Sequence, residues 1–457
     1  MNTDPILREY QRRDIEFMVG NRRVLNANEP GLGKTLESLL AIKELDGLRA
    51  LIVCPKMAMG VWREEAEKWC GWSSIIYTGK PEKRKEIRRE FDSSNAVLLI
   101  VNYALLEEVK LWRPKWKTIV VDEAHLGGLL NRKSEKFKIM KKMHSINLFI
   151  LTGTPVRRGP QDLWTLLHLL DKPNFGSFWR YVGEHCHVVD NGRFKEILGR
   201  PQNVKEFKKM LSQYMVRNLK EKVLEELPDK QRQPLIIELE DNSLRIYGEL
   251  LEQMIADLGA DLLVTSNAMT RDMRLRQLLV CPRLLGIDED GPALETLSKE
   301  LIPLEFDAHR SVVVATPFRQ AVPHIRRAIE DANPGVHIEE IHGKIKENAS
   351  DVALRFQKHP SKKKVLIYTI KSGASWTAHA ASTGFMLGYE WDPNECLQAE
   401  DRIHRIGQKH AVHWYYLLHE NTIDELVLDV LRKKRDASSW TIDTQDMLDK
   451  VQELKRR

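Results

Sequence analysis

The 457-residue chain lacks most of the features that mark a secreted, membrane or disulfide-built protein. It has five cysteines, Cys54, Cys70, Cys186, Cys281 and Cys396. They are odd in number, scattered, and never at metal-ligand spacing. Neither a disulfide framework nor a zinc domain is expected, and a reducing compartment fits. Cys54 and Cys281 sit in apolar surroundings and read as core thiols. No apolar run approaches the roughly 18 residues of a membrane span. Met1-Asn2-Thr3-Asp4-Pro5 shows no apolar signal region. An intracellular protein with no membrane role is therefore expected. Low-complexity tracts and internal repeats are absent as well. Charge of one sign is scarce: 71 Lys and Arg against 65 Asp and Glu leave a net +6. That balance permits contact with nucleic acid without establishing it. Local basic runs at Lys80 to Arg89, Arg132 to Lys142 and Lys362-Lys363-Lys364 read, taken singly, as solvated faces.

What is present is enough apolar material, 42% of residues, for two or three domains rather than one core. Residues 1–222 alternate short apolar strands with helices, as a parallel sheet covered on both faces would. Residues 223–300 read as a connector with a short helical insertion. Within this region Leu219 to Pro234 is charged and ends in proline, Leu235-Ile236-Ile237 begins a strand, and 241–280 has helical spacing. A second strand–helix alternation over 301–435 includes Val312-Val313-Val314, Val365 to Tyr368 and a last strand at Val412 to Leu418. Ile423 to Lys434 reads as an amphipathic helix bracing the lobes, and 436–457 as a polar tail.

Four segments carry chemistry. Arg23 to Asn26 reads as a strand and Leu36 to Ile42 as a helix. Between them, Asn28-Glu29-Pro30-Gly31-Leu32-Gly33-Lys34-Thr35 reads as a phosphate-binding loop, with Gly31 and Gly33 letting backbone N–H groups wrap a phosphate at a helix N-terminus, though a Gly-rich turn capping a helix would look alike. Lys34 would reach the β/γ-phosphates and the Thr35 hydroxyl would hold Mg²⁺. The apolar strand Ile119-Val120-Val121 ends in Asp122-Glu123-Ala124-His125. Asp122 suits Mg²⁺ held through water, and Glu123 suits orienting and deprotonating the attacking water. Leu148 to Leu151 runs into Thr152-Gly153-Thr154-Pro155, which suits a γ-phosphate sensor but equally a plain turn. Near the C-terminus, Gln398 to Gln408 holds Arg402 and Arg405 three apart. On a helix they would share a face, and an arginine delivered to a γ-phosphate stabilises transition-state charge.

These segments, in this order, resemble the Swi/Snf-type ATPases of helicase superfamily two, over roughly residues 5–435. Leu7 to Gln11 resembles the adenine-reading entry motif, with Gln11 the contact. Leu51 to Pro55, with Trp62 and Trp69, and Val101-Asn102-Tyr103 resemble motifs that face nucleic acid, and Trp62 is expected to support that face indirectly. Leu163 to Leu170, Arg217 to Pro228, Arg274 to Gln277, Cys281-Pro282 and Trp391-Asp392-Pro393 also follow the family. The resemblance implies two tandem RecA-like lobes of α/β fold. It implies ATP and Mg²⁺ bound by Gln11, Gly31, Gly33, Lys34, Thr35, Asp122 and Gln408, and catalysis by Lys34, Glu123, Arg402 and Arg405. It sets Pro55, Lys56, Asn102, Thr152, Thr154 and His342 on the DNA side.

The implied function is DNA-dependent ATP hydrolysis that drives translocation on double-stranded or branched DNA and remodels protein–DNA structures. A monomer is expected, with a recruiting protein partner left open. Its location would be cytoplasmic for a bacterial or viral source and nuclear for a eukaryotic one. Some positions depart from the family. Asn28 stands for an acidic residue and Pro30 for an apolar one. Arg157-Arg158 replace uncharged residues, and Ile370 to Trp376 keeps one glycine, Gly373, in a normally Gly-rich motif. This last segment, with Gln-Ala-Glu-Asp-Arg, resembles the annealing-helicase branch. A strand-separating helicase and a non-hydrolysing scaffold remain as alternative readings.

Overall fold

The computed structural model describes residues 5–424 apart from 48, 111–115, 158, 191–194, 225, 254, 258–261, 265–267, 346, 373–375 and 391. These residues form two compact units that divide between Leu224 and Glu226. The first is built on β1 (Arg23–Asn26), β2 (Ala50–Cys54), β3 (Ser74–Tyr77), β4 (Leu98–Asn102), β5 (Trp116–Val121) and β6 (Ser145–Leu151). A hairpin of β7 (Cys186–Asp190) and β8 (Lys195–Pro201) follows, then the two-residue β9 (Met215–Val216). The main sheet has the order β3-β4-β2-β5-β6-β1-β9 and is parallel throughout. Successive strand side chains point to opposite faces, and both faces are covered. Leu51, Val53, Ile119 and Val121 join one core, while Ala50, Ile52, Cys54 and Val120 join the other. This is why the strands read as unbroken apolar runs.

The second unit repeats the plan. It comprises β10 (Lys230–Ile237), a small hairpin of β11 (Ile255–Asp257) and β12 (Leu262–Val264), then β13 (Ser311–Thr316), β14 (His337–Ile341), β15 (Lys364–Thr369), β16 (Ala381–Leu387) and β17 (Val412–His419). Its parallel six-stranded sheet runs β10-β17-β16-β13-β15-β14. Val313, Ala315, Leu366 and Tyr368 pack on one face, and Val312, Val314, Val365 and Ile367 on the other. All five cysteines are buried and free.

Several elements differ from their sequence reading. The charged stretch before Pro234 is not wholly connector, because Lys230–Ile237 is an edge strand paired with β17 along its full length. Pro234 is tolerated there because an edge strand has one unpaired side. The charges that suggest a linker turn inward. Lys230 Nζ reaches Asp401 Oδ1 at 2.9 Å and Glu400 Oε2 at 3.0 Å, and Arg232 Nε donates to Glu400 Oε1 at 2.8 Å. Likewise Lys364, in the Lys362 to Lys364 run, is buried and donates to the carbonyls of Gln357 and His359 at 3.2 and 3.0 Å. The 241–280 region is two helices, Asp241–Gln253 and Ala268–Val280, separated by the β11–β12 hairpin. The bracing helix expected at Ile423 to Lys434 lies outside the described residues from 425 on, as do the tail, Arg158, Gly373 and Trp391.

The Glu400 cluster is expected to matter most for the second unit. Burial alone would raise this fully buried carboxyl, but Lys230 and Arg232 outweigh it and hold it below the ordinary carboxylate range. Removing one member of a buried ion cluster costs about 3 kcal/mol. Glu400→Gln should therefore weaken the second unit by about that amount in urea unfolding at neutral pH. A depressed folded-state pKa stabilises above the unfolded value and is lost as pH falls. The difference between parent and variant should accordingly shrink as pH drops below about 4.3.

Candidate active site

The three chemistry-bearing segments of the first unit each leave the carboxyl end of a parallel strand, the edge where open α/β sheets bind ligands. Between β1 and the helix α2 (Lys34–Glu44), Gly31 and Gly33 take φ of 89° and 91°, a region that L side chains rarely adopt. Gly33 caps α2, and a Cβ on it would lie 2.5 Å from Gln11 Nε2. Gln11, on α1 (Glu9–Asn21), donates to Leu32 O at 3.2 Å and accepts from Arg8 N at 3.1 Å. Tyr10 also donates to Leu32 O, at 2.9 Å. The first helix therefore clamps the loop at its glycines. Lys34 is buried, and its ammonium donates to the loop's own carbonyls, Asn28 O at 2.7 Å and Glu29 O at 3.3 Å. Thr35 is half-buried beside it.

Asn28, the departure from the family pattern, is the hub of a buried polar network. Its amide donates to Asp14 Oδ2 at 2.6 Å and to Glu37 Oε2 at 3.3 Å. Its carbonyl accepts from Asn218 N at 2.8 Å and Asn218 Nδ2 at 2.9 Å. Asn218 Nδ2 also donates to Asp14 Oδ2 at 2.7 Å, and Asn26 Nδ2 to Glu37 Oε2 at 2.6 Å. Burial pushes Asp14 up to about 7 despite the bonds from Asn28 and Asn218. Glu37 is raised well above its ordinary value by burial and by the charge of Asp14. An acid at position 28 would put a third carboxyl between these two, whereas an amide has two N–H donors to give them. The loop is also fastened from behind by the chain that leaves the unit. Ala27 N donates to Val216 O, Glu29 N to Asn218 O, and Lys220 N to Glu29 Oε2 at 2.7 Å.

At the end of β5, Asp122 and Glu123 are both buried. Glu123 has φ of 49°, a strained setting for a non-glycine residue of the kind that clusters at functional sites. Its Oε2 lacks a hydrogen-bond partner; His125 Nδ1 is 3.3 Å away without bonding geometry. Asp122 is pushed up to about 7 by burial and by the charge of Glu123, against the bond from Trp62 and the charge of Lys34. The next loop is tied to this one, because His125 Nδ1 lies 2.8 Å from Thr152 Oγ1, which accepts from Thr154 N. Gly153 packs on the phosphate loop: a Cβ there would meet Pro30 Cδ at 2.8 Å. Thr152 and Thr154 are both buried. They brace the acidic turn against the phosphate loop. Pro55 is half-buried and Lys56 exposed after β2, and Asn102 after β4 is half-buried, accepting from Ala104 N at 2.9 Å.

In the second unit, the expectation that Arg402 and Arg405 share a helix face is corrected, since the helix Pro393–Glu400 ends before them and 401–407 is a run of turns. Arg402 is buried with its guanidinium 5.2 Å from the Trp376 ring. Arg405 donates to Asp401 O at 3.0 Å, Trp376 O at 3.1 Å and Thr377 Oγ1 at 3.2 Å. The side-chain amide of Gln408 is engaged within the second unit. It donates to the carbonyls of His379, Ala381 and Ile403 and accepts from Lys409 N and His410 N, so it holds the turn to β16. His342 follows β14, with Nε2 3.3 Å from Glu340 Oε2. Sequence reasoning missed Asp14, and it placed Asn218 and Tyr103 in family segments without foreseeing their bonds to Asn28 and Asp122; the anomaly at Asn28 was the signal for Asp14 and Asn218.

Asn28→Asp should destabilise the first unit by about 2–4 kcal/mol at neutral pH, the cost of an added unpaired buried charge. The loss should fade as pH falls through the ordinary carboxylate range, because all the carboxyls are then protonated folded and unfolded. Urea unfolding across that range checks it.

The SNF2-related domain model matches residues 10–284, and the helicase conserved C-terminal domain model matches residues 293–407. Chromodomain-helicase-DNA-binding protein 8 of Danio rerio is 26% identical over 476 residues, covering 93% of this chain and 18% of that protein. The CHD3-type chromatin-remodeling factor CHR7 of Arabidopsis thaliana is 26% identical over 466 residues, covering 94% of this chain and 37% of that protein. The chain thus spans well under half the length of these relatives. The Sulfolobus solfataricus SWI2/SNF2 ATPase core solved with dsDNA aligns with a TM-score of 0.46 and 24% identity, over 95% of this chain and 92% of that one. With its first model matching residues 10–284 of 457, the chain belongs to the SNF2-related family, the Swi/Snf-type ATPases of helicase superfamily two.

Proposed function

We propose that this chain is a DNA-dependent ATPase that uses hydrolysis to translocate on double-stranded DNA and remodel protein–DNA or branched-DNA structures. One observation carries the reading. Lys34, Asp122 and Glu123 leave one edge of one sheet, and their loops lock together through the Pro30–Gly153 contact and the His125–Thr152 bond.

In this reading the N-terminus of α2 and the loop N–H groups receive the phosphates. Lys34 trades its two loop carbonyls for β/γ-phosphate oxygens. The unpartnered Glu123 Oε2 accepts a proton from the attacking water as the γ-phosphoryl group departs. A divalent cation fits the residues present, because a buried Asp122 raised by an adjacent carboxylate is a site short of positive charge. Thr35 and, through water, Asp122 would hold Mg²⁺, which supplies charge neutralisation for the phosphates. Gln11 is assigned to the adenine base; binding would cost its bond to Leu32 O. Arg402 and Arg405 are assigned to the charge of the transferring phosphoryl group. Pro55, Lys56, Asn102 and His342 are assigned to the DNA backbone, where contact is sequence-blind and salt-dependent. The protein would act as a monomer on duplex DNA, in the cytoplasm of a bacterial or viral host or a eukaryotic nucleus, with a partner protein recruiting it.

Lys34→Ala should abolish turnover. Glu123→Gln should retain ATP affinity within about twofold while kcat falls at least 10²-fold, the range for loss of a positioned base. Equilibrium binding of a fluorescent ATP analogue beside steady-state hydrolysis separates the two. Translocation is tested by displacement of a triplex-forming strand from a duplex. ATP-dependent displacement by the parent and none by Glu123→Gln is expected; displacement independent of ATP would overturn the motor reading.

A further inference from the structure

Asp122 is held at two of its atoms by two aromatic side chains. Trp62 Nε1 donates to Asp122 Oδ2 at 2.8 Å, and the Tyr103 hydroxyl donates to the Asp122 main-chain carbonyl at 2.6 Å. The donors come from adjacent strands. Tyr103 directly follows β4, and Trp62 lies on α3 (Met59–Cys70), whose first turn follows the short 3₁₀ turn Lys56–Ala58 after β2. Trp62 is 1% exposed, so its indole N–H is directed wholly inward. Tyr103 reaches the acidic turn across Gly127, where a Cβ would come within 2.2 Å of its ring. The loops that carry these side chains, at Pro55-Lys56 and Asn102, are the ones assigned above to DNA, and Lys56 and Met57 at the tip of the first are exposed.

We propose that Trp62 and Tyr103 are positioning residues that couple DNA contact at these two loops to the setting of Asp122, and so to the nucleotide and its cation. The proposal rests on the DNA-dependent ATPase reading. A hydrogen bond from the first turn of a helix, or from directly beside a loop, moves with that loop. DNA that orders the loops therefore fixes Asp122, and a nucleotide that fixes Asp122 orders the loops. Such coupling is reciprocal by linkage. Neither side chain needs to touch DNA or ATP.

The test measures coupling rather than activity alone. The affinity of a fluorescein-labelled blunt duplex is measured with and without saturating Mg²⁺ and adenylyl imidodiphosphate, for the parent chain, Trp62→Phe and Tyr103→Phe. In each variant the nucleotide's effect on duplex affinity should shrink about fivefold, the share of one hydrogen bond. Duplex affinity without nucleotide, and nucleotide affinity without duplex, should stay within about twofold. DNA-saturated kcat should fall with KM for ATP unchanged. A purely structural role would lower both separate affinities together. Tyr103→Phe deletes one oxygen and keeps the ring, so it decides the matter if Trp62→Phe fails to fold. Undiminished coupling in Tyr103→Phe overturns the proposal. A parent chain that binds duplex with no nucleotide effect overturns it as well, while a parent chain that does not bind duplex overturns the DNA reading beneath it.

Discussion

A strand buried on both faces has no room for chemistry along its length and can present polar groups only where it ends. Both sheets here are parallel, so all strands of a sheet end on the same side. In the first unit, loops that are far apart in sequence arrive together at that edge: the phosphate loop after β1, Pro55 after β2, Asn102 after β4, the acidic turn after β5 and the Thr-Gly-Thr loop after β6. Once the sheet order β4-β2-β5-β6-β1-β9 is set, neighbouring loops must pack on one another. The Gly153–Pro30 contact and the His125–Thr152 bond are consequences of that order, and the Tyr103–Asp122 bond reaches one strand further, across β2. The site is thus one interlocked surface, and a shift in any loop is felt by the next.

Such an edge concentrates acids out of water, and the fold manages them in two ways. Beneath the phosphate loop, Asp14 Oδ2 and Glu37 Oε2 accept from the amides of Asn26, Asn28 and Asn218, donors that add no charge behind a loop built to receive phosphates, while Glu37 Oε1 is left without a partner. At the acidic turn, Asp122 and Glu123 face each other with few donors, and Glu123 keeps a buried oxygen unpartnered and a strained backbone. Each arrangement leaves a carboxylate oxygen unpartnered, but only the acidic turn adds a strained backbone, as functional sites do. In the second unit a third solution appears, where Lys230 and Arg232 neutralise Glu400 directly.

The legible parts of the sequence were those with a local signature. Short, mostly apolar runs located β1, β5, β6, β13, β15 and β17 to within a few residues, and the glycines at 31 and 33 located the turn and the start of α2. Misread parts depend on distant partners. Lys230 and Arg232 look like a solvated linker until Glu400, some 170 positions later, is brought beside them. Thr152 is buried and lies against His125, a partner 27 positions away. Gln408 spends its amide on three carbonyls that no local pattern indicates. Arg402 and Arg405 have helical spacing, yet the chain there follows turns, and their side chains meet Trp376 and Thr377.

The central claim is that nucleic acid and ATP act through one shared edge, and steady-state ATP hydrolysis at fixed salt tests it most directly. The rate is compared with no nucleic acid, single-stranded DNA, duplex DNA, branched DNA and RNA. The account predicts strong stimulation by duplex or branched DNA and little by the others. Hydrolysis that is equally fast without nucleic acid, or stimulated mainly by single strands or RNA, would contradict it.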